Sequence, residues 1–141
     1  MTLVKNYNIA IVDDDPLILK AFSNYITKKH PNISVKTCTQ FKEHCIEGCP
    51  DKKCLNIDAL LLDYYLSNQT IAPDIIKRIR EKNQDLLIIV MSSAFVPFNN
   101  QLDTKPMKKA LNCGANRVVP KDILEVTDTL ITHLKIREQK N

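Results

Sequence analysis

Apolar residues along this chain fall into two alternating patterns. Nearly unbroken runs, Tyr7-Asn8-Ile9-Ala10-Ile11-Val12, Ala59-Leu60-Leu61-Leu62 and Leu86-Leu87-Ile88-Ile89-Val90-Met91, have the length and branching of strands buried on both faces of a parallel sheet. Between them, apolar residues recur at helical spacing from Leu17 to Ile26, where His30-Pro31 ends the segment, and at Ile75, Ile76 and Ile79 within Ala72 to Lys82. A last amphipathic helix from about Ile123 offers Leu124, Val126, Leu130, Ile131, Leu134 and Ile136 for burial. Ile33-Ser34-Val35-Lys36-Thr37-Cys38 alternates as a more exposed second strand, and Asn116-Arg117-Val118-Val119 reads as a fifth. A short helix is expected from about Gln40 to Glu47, and another from near Thr104-Lys105-Pro106, with Gly114 as its C-cap. Five strands alternating with five helices, without repeat or linker, predict an α/β fold with a doubly wound, five-stranded parallel sheet.

Composition narrows the function classes. At 141 residues the chain fits one domain with a sizeable core, and 44% hydrophobic with 26% charged residues is ordinary for a globular protein. The formal charge of +4 is spread over scattered basic residues, Trp is absent and no basic stripe alternates with aromatics, so nothing supports nucleic-acid binding. No run approaches the ~18 apolar residues of a membrane span, and the N-terminus lacks a signal-peptide core, so a cytoplasmic protein without membrane insertion is expected.

The odd set of five cysteines, Cys38, Cys45, Cys49, Cys54 and Cys113, does not fit a secreted disulfide framework. Cys45, Cys49 and Cys54 lie close to His44, but their spacing is not that of a zinc ribbon. Unligated thiols, a soft-metal site and a redox-sensitive pair are all open readings.

The chemistry gathers where strands end. The first strand runs into Asp13-Asp14-Asp15-Pro16, where Asp15 before Pro16 has a sufficient role as a helix cap. Asp13 and Asp14 have none, and adjacent carboxylates repel unless a positive charge sits between them. The third predicted strand ends on Asp63, the fourth on Ser92 and the fifth at Lys121. In a parallel sheet these carboxyl ends share one edge, which is where open α/β sheets bind ligands. Three carboxylates, a hydroxyl and an amine there suit Mg²⁺ and phosphoryl transfer to a carboxylate, in which positioning and electrostatics do most of the catalysis.

These residues resemble the receiver domains of two-component response regulators, over nearly the whole chain from about Tyr7 to the final helix. The acidic pair falls on Asp13 and Asp14 in Ile11-Val12-Asp13-Asp14-Asp15-Pro16, and the phosphoacceptor on Asp63 in Leu61-Leu62-Asp63. The hydroxyl residue falls on Ser92, and the lysine on Lys121, preceded by Gly114-Ala115. The resemblance implies a (βα)5 flavodoxin-like fold and a phosphorylation-dependent signalling switch rather than a turnover enzyme. Asp63 would accept a phosphoryl group from a histidine kinase or phosphotransfer protein. Mg²⁺ would be bound by Asp14, Asp63 and the Tyr65 backbone carbonyl, with Asp13 acting mostly through water. Lys121 would pair with phosphoryl oxygens, Ser92 would shift to bind one, and output would pass to an unknown downstream protein. The short tail after Lys121 leads us to expect a single receiver domain without an output domain.

The chain departs from the family's pattern in several places. No proline follows Lys121; Asp122 stands there, able either to cap the last helix or to pair with Lys121. The aromatic switch position, three before the lysine, is Val118, which has no ring to reorient. Ser67 stands where a proline is common, Ala72 stands where a glycine opens the helix, and Phe95 to Asn100 lengthens the loop after Ser92, as docking element or filler. Two competing readings follow: a receiver-shaped interaction module independent of phosphate, and a small phosphatase of the haloacid dehalogenase type. The second fits poorly, because Leu17 follows Asp13-Asp14-Asp15 where a Thr or Val is wanted and no cap domain is present.

Overall fold

In order, the elements are β1 (Tyr7–Val12), α1 (Pro16–Lys29), β2 (Ile33–Cys38), β3 (Ala59–Asp63), α2 (Ala72–Lys82), β4 (Leu87–Ser92), α3 (Lys105–Cys113), β5 (Arg117–Pro120) and α4 (Ile123–Lys140). This computed structural model describes residues 3–41, 57–67, 69–93 and 105–140. Of the helix expected from Gln40 to Glu47 only Gln40 and Phe41 are described, neither of them helical; the rest of it, the segment with His44, Cys45, Cys49 and Cys54, and the Phe95 to Asn100 loop lie outside the described residues.

All five strands are parallel in one sheet of order β2-β1-β3-β4-β5, the doubly wound arrangement expected. The winding reverses between β1 and β3, so the switch-point crevice opens between their carboxyl ends. Register aligns the edge: Val12 lies opposite Leu62, Asp63 opposite Met91, and Ser92 opposite Pro120.

Because side chains alternate along a strand, the continuous apolar runs feed two cores. Ile9, Ile11, Leu61, Ile89 and Met91 pack with Leu19, Phe22 and Ile26 of α1 and Val126, Leu130 and Leu134 of α4. Ala10, Val12, Leu60, Leu62, Ile88 and Val90 pack on the other face with Ile75, Ile76 and Ile79 of α2 and Ala110 of α3. Each fully buried Ile or Leu contributes about 1.5–3 kcal/mol, more than the 0–1 kcal/mol of a typical surface ion pair, so these layers fix where the strand ends sit. Among the described residues, no helix is long and apolar enough to cross a membrane.

Three apolar residues are not where the sequence suggested. Leu124 and Ile136, offered for burial in the last helix, are 55% and 41% exposed, and Leu17 is 77% exposed. Each lies two positions from a buried residue, Val126, Leu134 and Leu19 respectively, which at 3.6 residues per turn turns it about 200° away from the core. The fifth strand also begins one residue later than expected. Asn116 instead uses its side-chain oxygen to accept from the Ile88 N–H (2.8 Å) and from Arg80 Nη2 (2.9 Å).

Arg80 ties three elements together at the amino edge of the sheet. Its Nε and Nη2 donate to the Gly114 carbonyl at 3.0 and 2.8 Å, and its Nη1 donates to the Asn83 carbonyl at 3.1 Å. Gly114 follows α3 with φ +119°, and a Cβ there would lie 2.8 Å from Arg80 Cγ. Both conditions require glycine. Gly114→Ala is expected to lower the unfolding free energy by about 1–3 kcal/mol in urea titration, through backbone strain and a displaced Arg80; an unchanged midpoint would contradict this account of the α3 terminus.

Candidate functional site

Each candidate side chain is delivered by the end of a strand. Asp13 directly follows β1, and its N–H donates to the Cys38 carbonyl of β2 at 3.1 Å, which extends the ladder by one residue. Its Oδ1 accepts from the Asp15 N–H at 2.9 Å, while Asp15 itself caps α1 by accepting from the Leu17 N–H at 2.9 Å. The turn thus drives Asp13 inward, where it is fully buried, and leaves Asp14 exposed. Asp63 closes β3 and is 4% exposed; Ser92 closes β4 and is buried.

Lys121 crosses this edge from the end of β5. Its ammonium lies 2.9 Å from Asp13 Oδ2 and 3.0 Å from Asp63 Oδ1. Its N–H donates to the Ser92 carbonyl at 3.2 Å. Lys121 therefore pairs with these two carboxylates, and Asp122 takes the cap: its Oδ1 accepts from the Leu124 and Glu125 N–H groups, each at 3.0 Å. A positive charge among these carboxylates is what the sequence called for; which two of them Lys121 pairs with is decided by the fold.

Tyr65 sits in the loop leaving Asp63. The Tyr64 N–H donates to the Met91 carbonyl (2.9 Å), the Ala72 N–H to the Tyr64 carbonyl (2.8 Å) and the Leu66 N–H to the Thr70 carbonyl (2.9 Å). The last two close an isolated antiparallel bridge between Tyr65 and Ile71 that does not use the Tyr65 carbonyl. The loop is thereby fixed while that oxygen stays uncommitted by the bridge.

The electrostatics are those of a site short of positive charge. Burial, followed by the neighbouring Asp13 charge, pushes the Asp63 carboxyl up to about 6; Lys121 opposes this and Asp14 adds to it. For Lys121, burial works against the charge, but Asp13 and Asp63 outweigh it and the ammonium titrates above the usual lysine value. One carboxylate oxygen from each of Asp13, Asp14 and Asp63 lies within 4.8 Å of the other two. Asp13 Oδ2 is buried with its Lys121 ion pair and no well-directed hydrogen bond. Hard oxygen donors, unsatisfied lone pairs and excess negative charge fit a divalent cation of the Mg²⁺ type.

A family model described as the response regulator receiver domain matches residues 9–135. Among solved structures, a CheY-like response regulator receiver domain protein from Methanospirillum hungatei JF-1 is similar at TM-score 0.74 and 15% identity, with 97% of this chain and 100% of that chain covered. The beryllofluoride-activated DrrB receiver domain is similar at TM-score 0.70 and 20% identity, with coverage of 92% and 98%. A response regulator from Burkholderia pseudomallei, crystallised with a phosphorylated aspartic acid, calcium ion and citrate, is similar at TM-score 0.68 and 14% identity, with coverage of 96% and 72%. No curated protein matches the chain significantly.

The raised carboxyl of Asp63 makes a signed prediction about metal-free protein. Because the folded state binds that proton more tightly than the unfolded chain, Asp63 costs nothing below about pH 4 and destabilises the fold increasingly as pH rises through about 6. In EDTA at pH 7.5, Asp63→Asn is expected to raise the unfolding free energy by on the order of 1–3 kcal/mol, a gain that fades towards pH 4. Mg²⁺ should then raise the Tm of the wild type more than that of the variant. A variant less stable than wild type at pH 7.5 would show that Asp63 is not electrostatically strained.

Proposed function

The chain belongs to the response regulator receiver domain family, and on that premise we propose that it is a phosphorylation-dependent signalling switch with Asp63 as phosphoacceptor. The observation that carries the reading is the Asp63 carboxylate itself, held at the end of a buried strand, paired with Lys121 and flanked by Asp13 and Asp14. The donor is a histidine kinase or a histidine phosphotransfer protein. An Asp63 oxygen forms the new P–O bond as the P–N bond to the donor histidine breaks, and the imidazole leaves with the bonding pair and takes up a proton.

The chain's own residues supply position and charge. β3 fixes Asp63 against rotation, and Lys121, already 3.0 Å from its Oδ1, is available to pair with incoming phosphoryl oxygens. Asp14, Asp63 and the Tyr65 carbonyl would hold Mg²⁺, with Asp13 in support, and the ion would supply further positive charge for those oxygens. Ser92, at the adjacent strand end, offers its hydroxyl to one of them after transfer. The resulting change is passed on by contact with a downstream protein. The phosphorylated aspartic acid and calcium ion of the Burkholderia relative are in keeping with this chemistry. Val118 favours a second reading, a receiver-shaped interaction module that works without phosphate, since a valine cannot act as an aromatic switch.

Acetyl phosphate with Mg²⁺, followed by intact mass, separates the two. One phosphoryl adduct is expected on the wild type, none on Asp63→Asn or in EDTA, a weakened adduct on Asp13→Asn, and a rate about 10- to 100-fold lower on Lys121→Ala. Absence of any adduct on the wild type, even with a histidine kinase as donor, would leave the phosphate-independent module as the reading.

A further inference from the structure

The backbone around Lys121 is fixed from both sides. Its own N–H is bonded to the Ser92 carbonyl, and the Asp122 N–H donates to the Pro120 carbonyl at 2.8 Å, closing a three-residue turn with Lys121 at its centre. The chain enters α4 at the next residue. There Asp122 Oδ1 accepts from the Leu124 and Glu125 N–H groups, and the Asp122 carbonyl accepts from the Val126 N–H at 2.8 Å. Asp122 is thus the N-cap, with its side chain on the second and third helical amides.

Two consequences meet at one residue. The bonds to the helix amides commit the Asp122 carboxylate to α4, so it does not compete with Asp13 and Asp63 for the neighbouring ammonium. They also weld the turn to α4, whose Val126, Leu130 and Leu134 are buried in the core. The Lys121 side chain spans from this hydrogen-bonded turn to the carboxylates of the pocket. We propose that Asp122 is a positioning residue of the acceptor site: by capping α4 it fixes the backbone from which Lys121 reaches Asp13 and Asp63. The proposal rests on the reading of Asp63 as phosphoacceptor. It assigns to a side-chain cap the job that a proline after the lysine would do by restricting the backbone.

The test compares Asp122→Ala with the cap-competent Asp122→Ser and Asp122→Asn, and with Gly114→Ala as a destabilised control at the opposite edge, all at a temperature where each is folded. With acetyl phosphate at saturating Mg²⁺, Asp122→Ala is expected to be phosphorylated about 5- to 20-fold more slowly, Ser and Asn within about twofold of wild type, and Gly114→Ala unchanged. Mg²⁺ affinity, measured by NMR titration, should shift by less than about twofold in all of them, because none alters a proposed metal ligand. The side-chain ammonium signal of Lys121, slowed in exchange by its two carboxylate partners, reads the same positioning without phosphate. It should persist in the wild type and in Asp122→Asn and be lost in Asp122→Ala. Retention of that signal in Asp122→Ala, a wild-type rate in that variant, or Ser and Asn as slow as Ala would overturn the proposal. An unphosphorylated wild type that keeps the ammonium pattern would instead count against Asp63 as acceptor while leaving the positioning role standing.

Discussion

An ammonium shared between two buried carboxylates governs this molecule. Asp13 and Asp63 end adjacent strands, and without Lys121 their charges would face each other in a poorly hydrated crevice, where like charges disfavour ionisation. Among the described residues one ammonium stands against three carboxylates, counting Asp14, and burial with the Asp13 charge raises the Asp63 carboxyl to about 6. The strain is concentrated on the group proposed to react. Any cation or phosphoryl group that enters such a site meets lone pairs whose desolvation has already been met by folding.

That arrangement is possible because the scaffold beneath it is stiff. Strands buried on both faces leave no freedom at their ends, and the register puts Asp63 beside Met91 and Ser92 beside Pro120. The proposed acceptor site lies at the carboxyl edge, and a separate hydrogen-bond cluster at the other. There Arg80 links the ends of α2 and α3 to Asn116. Because the two edges use different residues, a substitution at Gly114 can weaken the fold without touching the carboxylates.

The surroundings of Ser92 and Lys121 differ from the family's pattern at Val118. Val118 is half-buried against the core on the α3 side and carries no ring to swing outward. What links the strand ends directly is backbone: the Lys121 N–H on the Ser92 carbonyl, and the turn that runs from Lys121 through Asp122 into α4. The end of β4 and the start of α4 are thus joined by backbone hydrogen bonds as well as by the packing of Met91 with Val126 and Leu130.

Much of this was determined by the sequence alone. Short continuous apolar runs suit strands covered on both sides, their alternation with helical periods argues for a parallel sheet, and a parallel sheet brings Asp13, Asp14, Asp63, Ser92 and Lys121 to one edge. Asp15 and Pro16 likewise announce the start of α1 by local chemistry. Tertiary structure decided what depends on distance and direction. It buried Asp13 while exposing Asp14, two neighbours alike in sequence, because a turn sends successive side chains to opposite sides. It turned Leu17, Leu124 and Ile136 outward, since a two-residue offset on a helix reverses the face. It also resolved the choice at Asp122, where capping and pairing with Lys121 were equally open in one dimension: two amide hydrogens lie within reach of its oxygen, and the ammonium is already held by carboxylates from strands remote in the chain.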